Sequence, residues 1–228
     1  MRIIFVRHGH PDYKADCLTE LGHLQAEAAA NRLKNEKIAQ VFSSSKGRAM
    51  QTVEYIANCR QLSVIPCDFM REIGWGSLNE EPIYEDGHPW FTAKQMVSQG
   101  ESVVDPQWAS KEPFCKNRVI NFEKIVSEGL DEWLAQLGYV REGLYYRVMR
   151  SNPDTVVMGC HGGSSSMALA HMFNLPFTFC VTAINLNFTG ITMIGFGGKE
   201  GDLISPHFEL ANDARHIAGI EAEIVYEN

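Results

Sequence analysis

The chain opens on a short apolar run, Ile3-Ile4-Phe5-Val6, that stops abruptly at Arg7-His8-Gly9. An uninterrupted apolar stretch of this length predicts a strand over Arg2 to Val6 that is buried on both faces. From Thr19 to Leu33, apolar or small residues at Leu21, Leu24, Ala28 and Leu33 predict a helix, with Thr19 as its N-cap. A second strand is predicted over Gln40 to Ser44, then a helix from about Gly47 to Asn58 and a third strand over Ser63 to Cys67. Thr155 to Cys160 forms the clearest later strand, followed by Gly162-Gly163 and a helix through Ser166 to Phe173. Strands alternating with helices predict an α/β fold, a three-layer α/β/α sandwich around a mostly parallel central sheet.

The periodicity breaks down between Gly74 and about Cys115, a stretch holding Trp75, Trp90 and Trp108 among several turn signals. This region is expected to be an irregular insertion with one short helix over Trp90 to Ser98. Val119, Phe122, Val126, Leu130, Trp133 and Leu137 then recur three and four apart, the stripe of a long core-facing helix. Near the C-terminus, Ala183 to Phe188 and Ile191 to Gly195 flank Thr189-Gly190 and predict a hairpin or two paired strands. With no repeats and 228 residues, residues 1–228 are expected to form one domain with a lid-like insertion at about 74–115.

Composition narrows the function. A formal net charge of −8 argues against nucleic acid as a partner, because backbone phosphates require a broad basic surface. No run is long enough to span a bilayer, and the N-terminal apolar run is too short for a signal-peptide core, so no membrane partner and a cytoplasmic location are expected. The six cysteines lack CxxC spacing and the eight histidines lack zincin spacing, which leaves no metal-ligand motif. Oligomeric state leaves no signature.

Ligands of open α/β sheets bind at the carboxyl ends of the parallel strands, so the residues that follow each strand are informative. Arg7 and His8 follow the first, the segment Ser43 to Thr52 with Arg48 follows the second, Arg71-Glu72 follows the third, and His161-Gly162-Gly163 follows the later strand. Separate segments thus bring guanidinium, imidazole and carboxylate groups to one edge. Taken singly, each has a plainer reading: a surface ion pair for Glu72, a solvent-facing Arg48, a satisfied core histidine for His161, turn residues for Ser43 to Ser45.

Together and in this order, Arg7-His8-Gly9, Leu18-Thr19-Glu20-Leu21-Gly22 with Gln25-Ala26, Ser43-Ser44 through Arg48-Ala49 and Gln51-Thr52, Arg71-Glu72-Ile73 and His161-Gly162-Gly163 resemble the histidine phosphatase superfamily, which includes the cofactor-dependent phosphoglycerate mutases. The resemblance implies that His8 is a nucleophile forming a phosphohistidine. It implies that Arg7, Arg48 and His161 surround the phosphoryl oxygens, with Gly162 and Gly163 offering backbone N–H groups at a helix start. Glu72 would be the acid/base, a role that needs a raised pKa; partial burial supplies this and the cationic pocket opposes it. The route needs neither cofactor nor metal. One departure is Lys14, which stands where many members carry a phosphate-contacting Asn and reads either as a point-charge phosphate ligand or as a solvent-facing loop lysine.

The insertion carries Glu80, Glu81, Glu85, Asp86, Glu101, Asp105 and Glu112 against Lys94 and Lys111, too acidic for a lid over a bisphosphorylated intermediate. The expectation is therefore a phosphomonoesterase acting on a small-molecule phosphate monoester whose organic part is neutral, aromatic or cationic, with Trp75, Trp90 or Trp108 as an apolar wall. A mutase-type phosphoryl transferase and a non-catalytic phosphate-binding domain are the alternatives.

Overall fold

The computed structural model describes residues 1–220. In chain order its strands are β1 (Arg2–Arg7), β2 (Pro11–Asp12), β3 (Cys17–Leu18), β4 (Ile38–Ser43), β5 (Val64–Pro66), β6 (Tyr139–Glu142), β7 (Tyr145–Val148), β8 (Thr155–Cys160), β9 (Ile191–Gly195), β10 (Leu203–Ile204) and β11 (His207–Asp213). Its α-helices are α1 (Glu20–Arg32), α2 (Gly47–Asn58), α3 (Pro89–Ser98), α4 (Ile120–Gln136), α5 (Gly162–Phe173) and α6 (Phe177–Ala183).

A six-stranded sheet in the order β11-β9-β1-β8-β4-β5 forms the centre. Strands β1, β8, β4 and β5 run parallel; β9 adds antiparallel to β1, and β11 antiparallel to β9. Alternation along β1 divides the interior in two. Ile3 and Phe5 join a core built with Trp133, Met167 and Leu169 of α4 and α5, whereas Ile4 and Val6 face Leu33, Val53 and Ile56 beside α1 and α2. The sheet is thus covered on both faces, as strands of continuous apolar character require.

Helix α1 is capped as expected, the Thr19 hydroxyl accepting the Gly22 N–H at 3.1 Å. Its buried face differs from the expected stripe. Ala26, Ala29 and Ala30 point inward while Leu24 is 53% exposed, because α1 approaches α2 through small side chains. The stripe on α4 holds at Val126, Leu130 and Trp133.

The C-terminal hairpin expected from Ala183 to Phe188 does not form. Residue 183 ends α6, and the segment beyond it bonds to the end of β1: the Leu186 carbonyl accepts from Arg7, the Gly190 carbonyl accepts the Arg7 N–H at 3.3 Å, and the Thr189 N–H donates to the His8 carbonyl at 3.2 Å. Its backbone groups are spent holding Arg7 and His8, and β9 pairs with β1 and β11 instead. The chain also forms a hairpin, β6 with β7, that periodicity did not reveal.

The segment 74–115 contains α3, close to the expected Trp90 to Ser98, and short 3₁₀ turns. Ala93 and Met96 of α3 and the buried Trp108 join the larger core, Trp108 packing edge-on against Phe114 and against Phe177 of α6. Trp108 is therefore an anchor of the insertion. The acids of this segment are exposed except Asp105, which pairs with Lys111. Their positions offer no reason to tie the acidity of the insertion to substrate choice.

Candidate active site

The C-terminal ends of β1, β4 and β8 bring the chemistry together, and Glu72 reaches the same place from the turn after β5. One ring nitrogen of His8, one of His161 and a carboxylate oxygen of Glu72 lie within 4.8 Å of one another. His8 is 1% exposed and its ring centroid stands 5.1 Å from that of His161, which is wholly buried.

The backbone presets the His8 ring. Its Nδ1 lies 2.7 Å from the carbonyl of Gly9, which can only accept, so Nδ1 carries the proton and Nε2 carries a lone pair. That Nε2 is buried and has no hydrogen-bond partner among the described residues. Burial first, then His161, Arg7 and Arg48, holds the His8 pKa well below the ordinary imidazole value. The ring is neutral at physiological pH, as nucleophilic attack requires.

His161 is the N-cap residue of α5, and its N–H donates to the Ser164 hydroxyl at 3.3 Å. Its Nε2 lies 2.7 Å from the Ser44 hydroxyl, while on the α5 side the ring faces the Ser164 N–H, which Glu72 Oε1 already accepts at 3.2 Å, so that the buried Nδ1 keeps no hydrogen bond of its own among the described residues. Burial, followed by the charges of Arg48, Arg7, Lys46 and Arg71, keeps this imidazole neutral too.

Glu72 sits on the start of α5. Its Oε1 accepts the N–H groups of Gly163 at 3.0 Å, Ser164 at 3.2 Å and Ile73 at 3.1 Å. The approach depends on glycine, since a Cβ at position 163 would stand 2.7 Å from that oxygen and 2.4 Å from the Ile73 side chain. One of the two amides expected to face an anion, that of Gly163, is thereby committed to the carboxylate. Burial raises the Glu72 pKa and outweighs Arg7, Arg48 and the amides, which pull it down. With Oε1 saturated by donors, the proton of the acid form belongs on Oε2.

The two arginines frame this group. Arg7 lies over the Phe188 ring at 4.4 Å and donates to the Leu186 carbonyl, leaving a buried Nε without a partner among the described residues. Arg48, 6% exposed, donates to Asp16 at 2.5 Å and also keeps an unpartnered buried Nε. Asp16 additionally accepts the Gly47 N–H at 3.1 Å, so one carboxylate both caps α2 and aims Arg48. Gly162 lies at the rim, where a Cβ would meet the benzo edge of Trp90 at 3.4 Å and Arg7 Cζ at 3.7 Å.

Of the residues singled out from sequence, His8, His161, Glu72, Arg7, Arg48 and Gly162 converge here. Lys14 is exposed on the loop between β2 and β3, and its ammonium bonds to none of these side chains. The neighbouring Tyr13 approaches instead, edge-on to His8 at 6.4 Å and beneath Arg48 at 5.3 Å. Asp16, Tyr13 and Phe188 escaped sequence reading, and Ser44 falls in a matching segment that gives it no role of its own. Only Ser44 carried a signal, its place directly after β4.

Comparison with known proteins identifies the family. The family model described as the histidine phosphatase superfamily (branch 1) matches residues 3–207. The chain belongs to that superfamily. Among curated proteins, a probable phosphoglycerate mutase GpmB from Yersinia pestis (strain Pestoides F) is 31% identical over 122 residues, which are 48% of this chain and 56% of that protein. The chain thus matches only a little over half the length of such relatives. Among solved structures, a mycobacterial glucosyl-3-phosphoglycerate phosphatase matches with a TM-score of 0.63 at 22% identity, covering 92% of this chain and 98% of the other. Phosphoserine phosphatase from Entamoeba histolytica, solved with 3-phosphoglyceric acid, matches with a TM-score of 0.60 at 20% identity over 95% and 98% of the two chains. At these identities the likeness is one of fold. Among the described residues, no helix is long and apolar enough to cross a membrane.

Proposed function

We infer that this histidine phosphatase superfamily member is a phosphomonoesterase that hydrolyses a small phosphorylated metabolite through a phosphohistidine. The observation that carries the reading is the unpartnered, buried Nε2 of neutral His8, on a ring that gathers with His161 and Glu72 within one phosphoryl group's reach. The names of the phosphoserine and glucosyl-3-phosphoglycerate phosphatases among the fold relatives support the same class.

In the first step His8 Nε2 forms a bond to phosphorus as the ester P–O bond breaks, and Glu72 Oε2 gives its proton to the departing oxygen. Arg7, Arg48 and His161 hold the three equatorial oxygens, where charge spreads in the transition state. The positive charge that the phosphorylated ring acquires is met by the Gly9 carbonyl at Nδ1. In the second step ionised Glu72 takes a proton from water, the water oxygen bonds to phosphorus and the P–N bond breaks, which regenerates both residues and releases inorganic phosphate.

Tyr13, Phe188 and Trp90 border the anion site and present aromatic faces to whatever is esterified. This favours an organic part with apolar or aromatic surface. The name of the GpmB relatives favours a second reading, phosphoryl transfer between positions of phosphoglycerate.

A panel of phosphorylated metabolites assayed for phosphate release, with and without EDTA, tests the proposal. Release unaffected by EDTA and lost in His8→Ala is expected. No release from any monophosphate, together with bisphosphate-primed movement of phosphate on phosphoglycerate, would overturn it in favour of the mutase.

A further inference from the structure

We propose that Ser44 is a positioning residue that fixes the tautomer of His161, so that a neutral imidazole presents an N–H to the phosphoryl group. The Ser44 hydroxyl is wholly buried and lies 2.7 Å from His161 Nε2. It has a second contact, accepting the Lys46 N–H at 3.2 Å. A hydroxyl has one proton to give and two lone pairs. With one lone pair on Lys46, the proton has a single acceptor within reach, the lone pair of His161 Nε2. The reverse arrangement, with Nε2–H donating to Ser44, would leave the Ser44 O–H with no acceptor, whereas the Nδ1–H of the first belongs to the ring that faces His8 and the anion site.

The consequence appears on the other side of the ring. If Nε2 accepts, the proton of the neutral imidazole sits on Nδ1, which is buried and unpartnered and belongs to the ring facing His8. His8 presents a lone pair toward phosphorus and His161 presents a donor toward a phosphoryl oxygen. The opposite tautomer of His161 would turn a lone pair on that oxygen and repel it. The two rings thus reach complementary roles by different backbone devices, the Gly9 carbonyl for His8 and the Ser44 hydroxyl for His161.

The position of Ser44 makes the control rigid. Its own N–H donates to the Gly159 carbonyl of β8 at 2.8 Å, and the adjacent Ser43 hydroxyl donates to the Ser44 carbonyl at 2.9 Å. The hydroxyl is therefore tied to the strand that delivers His161.

The role of His161 as an oxyanion donor rests on the phosphatase reading, but the tautomer does not, and the test separates them. Long-range ¹⁵N–¹H NMR of histidine-labelled protein at about pH 8, where unperturbed imidazole is neutral, reads the protonated nitrogen of each ring directly. Wild-type His161 is expected as the Nδ1–H form, and finding Nε2–H there overturns the proposal without any variant. In Ser44→Ala the His161 signals should move toward a mixture of tautomers, and kcat should fall on the order of tenfold or more with KM little changed. Ser44→Thr, which keeps the hydroxyl, should restore the Nδ1–H form. An unchanged tautomer in Ser44→Ala overturns the proposal, whereas a protein with the expected tautomer and no phosphatase activity would overturn only the functional reading.

Discussion

His8 and His161 face one another with ring centroids 5.1 Å apart, and each keeps one buried ring nitrogen without a partner among the described residues. Two imidazoles this close repel if both are charged, and burial already disfavours charging either.

Folding therefore releases protons from these rings in mildly acidic solution. Each native pKa is depressed below its unfolded value of about 6.5, so the unfolded state binds more protons between the two values and stability rises with pH across that window. Each histidine contributes a slope of up to about 1.4 kcal/mol per pH unit. Urea titrations from about pH 5 to pH 7 should show ΔG falling as the solution is acidified. His8→Ala should have a visibly shallower dependence, and an identical slope would show that His8 is not held neutral by the fold.

Glu72 has the opposite displacement, and the acid step needs its protonated form. Single-turnover phosphorylation of His8 by an alkyl phosphate should fall as pH rises through the raised Glu72 pKa. Glu72→Gln keeps an acceptor for the α5 amides but has no proton to give, so this step should slow by about 10² to 10⁴. Nitrophenyl phosphate, whose leaving group departs without a proton, should be much less affected. Equal losses for both substrates would remove Glu72 from the acid role.

The Asp16 carboxylate aims Arg48 and caps α2 at once. Asp16→Ala is expected to cost about 1–2 kcal/mol of stability from the lost cap and to weaken inorganic phosphate binding as well. Arg48→Ala should cost about 3–4 kcal/mol of transition-state stabilisation, read as kcat/KM. A phosphate affinity in Asp16→Ala equal to that of the wild type would show that Arg48 keeps its aim unaided.

The tryptophans of the 74–115 segment should divide by location. Trp108, 5% exposed among Phe114 and Phe177, should lose about 3–5 kcal/mol on change to alanine. Trp90, at the rim beside Gly162 and Arg7, should alter KM and the ranking of organic groups more than it alters stability. Thermal melts and a substrate panel on both variants check the division.

Much of this arrangement was legible in sequence because strand ends are easy to find and ligands collect there. Arg7, His8, Arg48 and His161 all follow apolar runs that became β1, β4 and β8. Asp16 was not legible, since it acts from a left-handed loop residue with φ of 53° that no periodicity marks. Lys14 and Tyr13 are exposed neighbours on one loop, and only coordinates show that the Tyr13 ring lies beside His8 and Arg48. Ala183 to Phe188 misled because apolar residues in alternation suit a strand equally well as a segment tied to the end of β1. The acids of the insertion illustrate a related limit: composition counts charges and does not tell where they point, and most of these are exposed.

Because Glu72 is clamped by the amides of Gly163 and Ser164 while His161 precedes them on the same helix, the proton donor and the second imidazole travel as one piece with α5. The acid and the second imidazole therefore share one anchor, and a side chain at position 163 would disturb both.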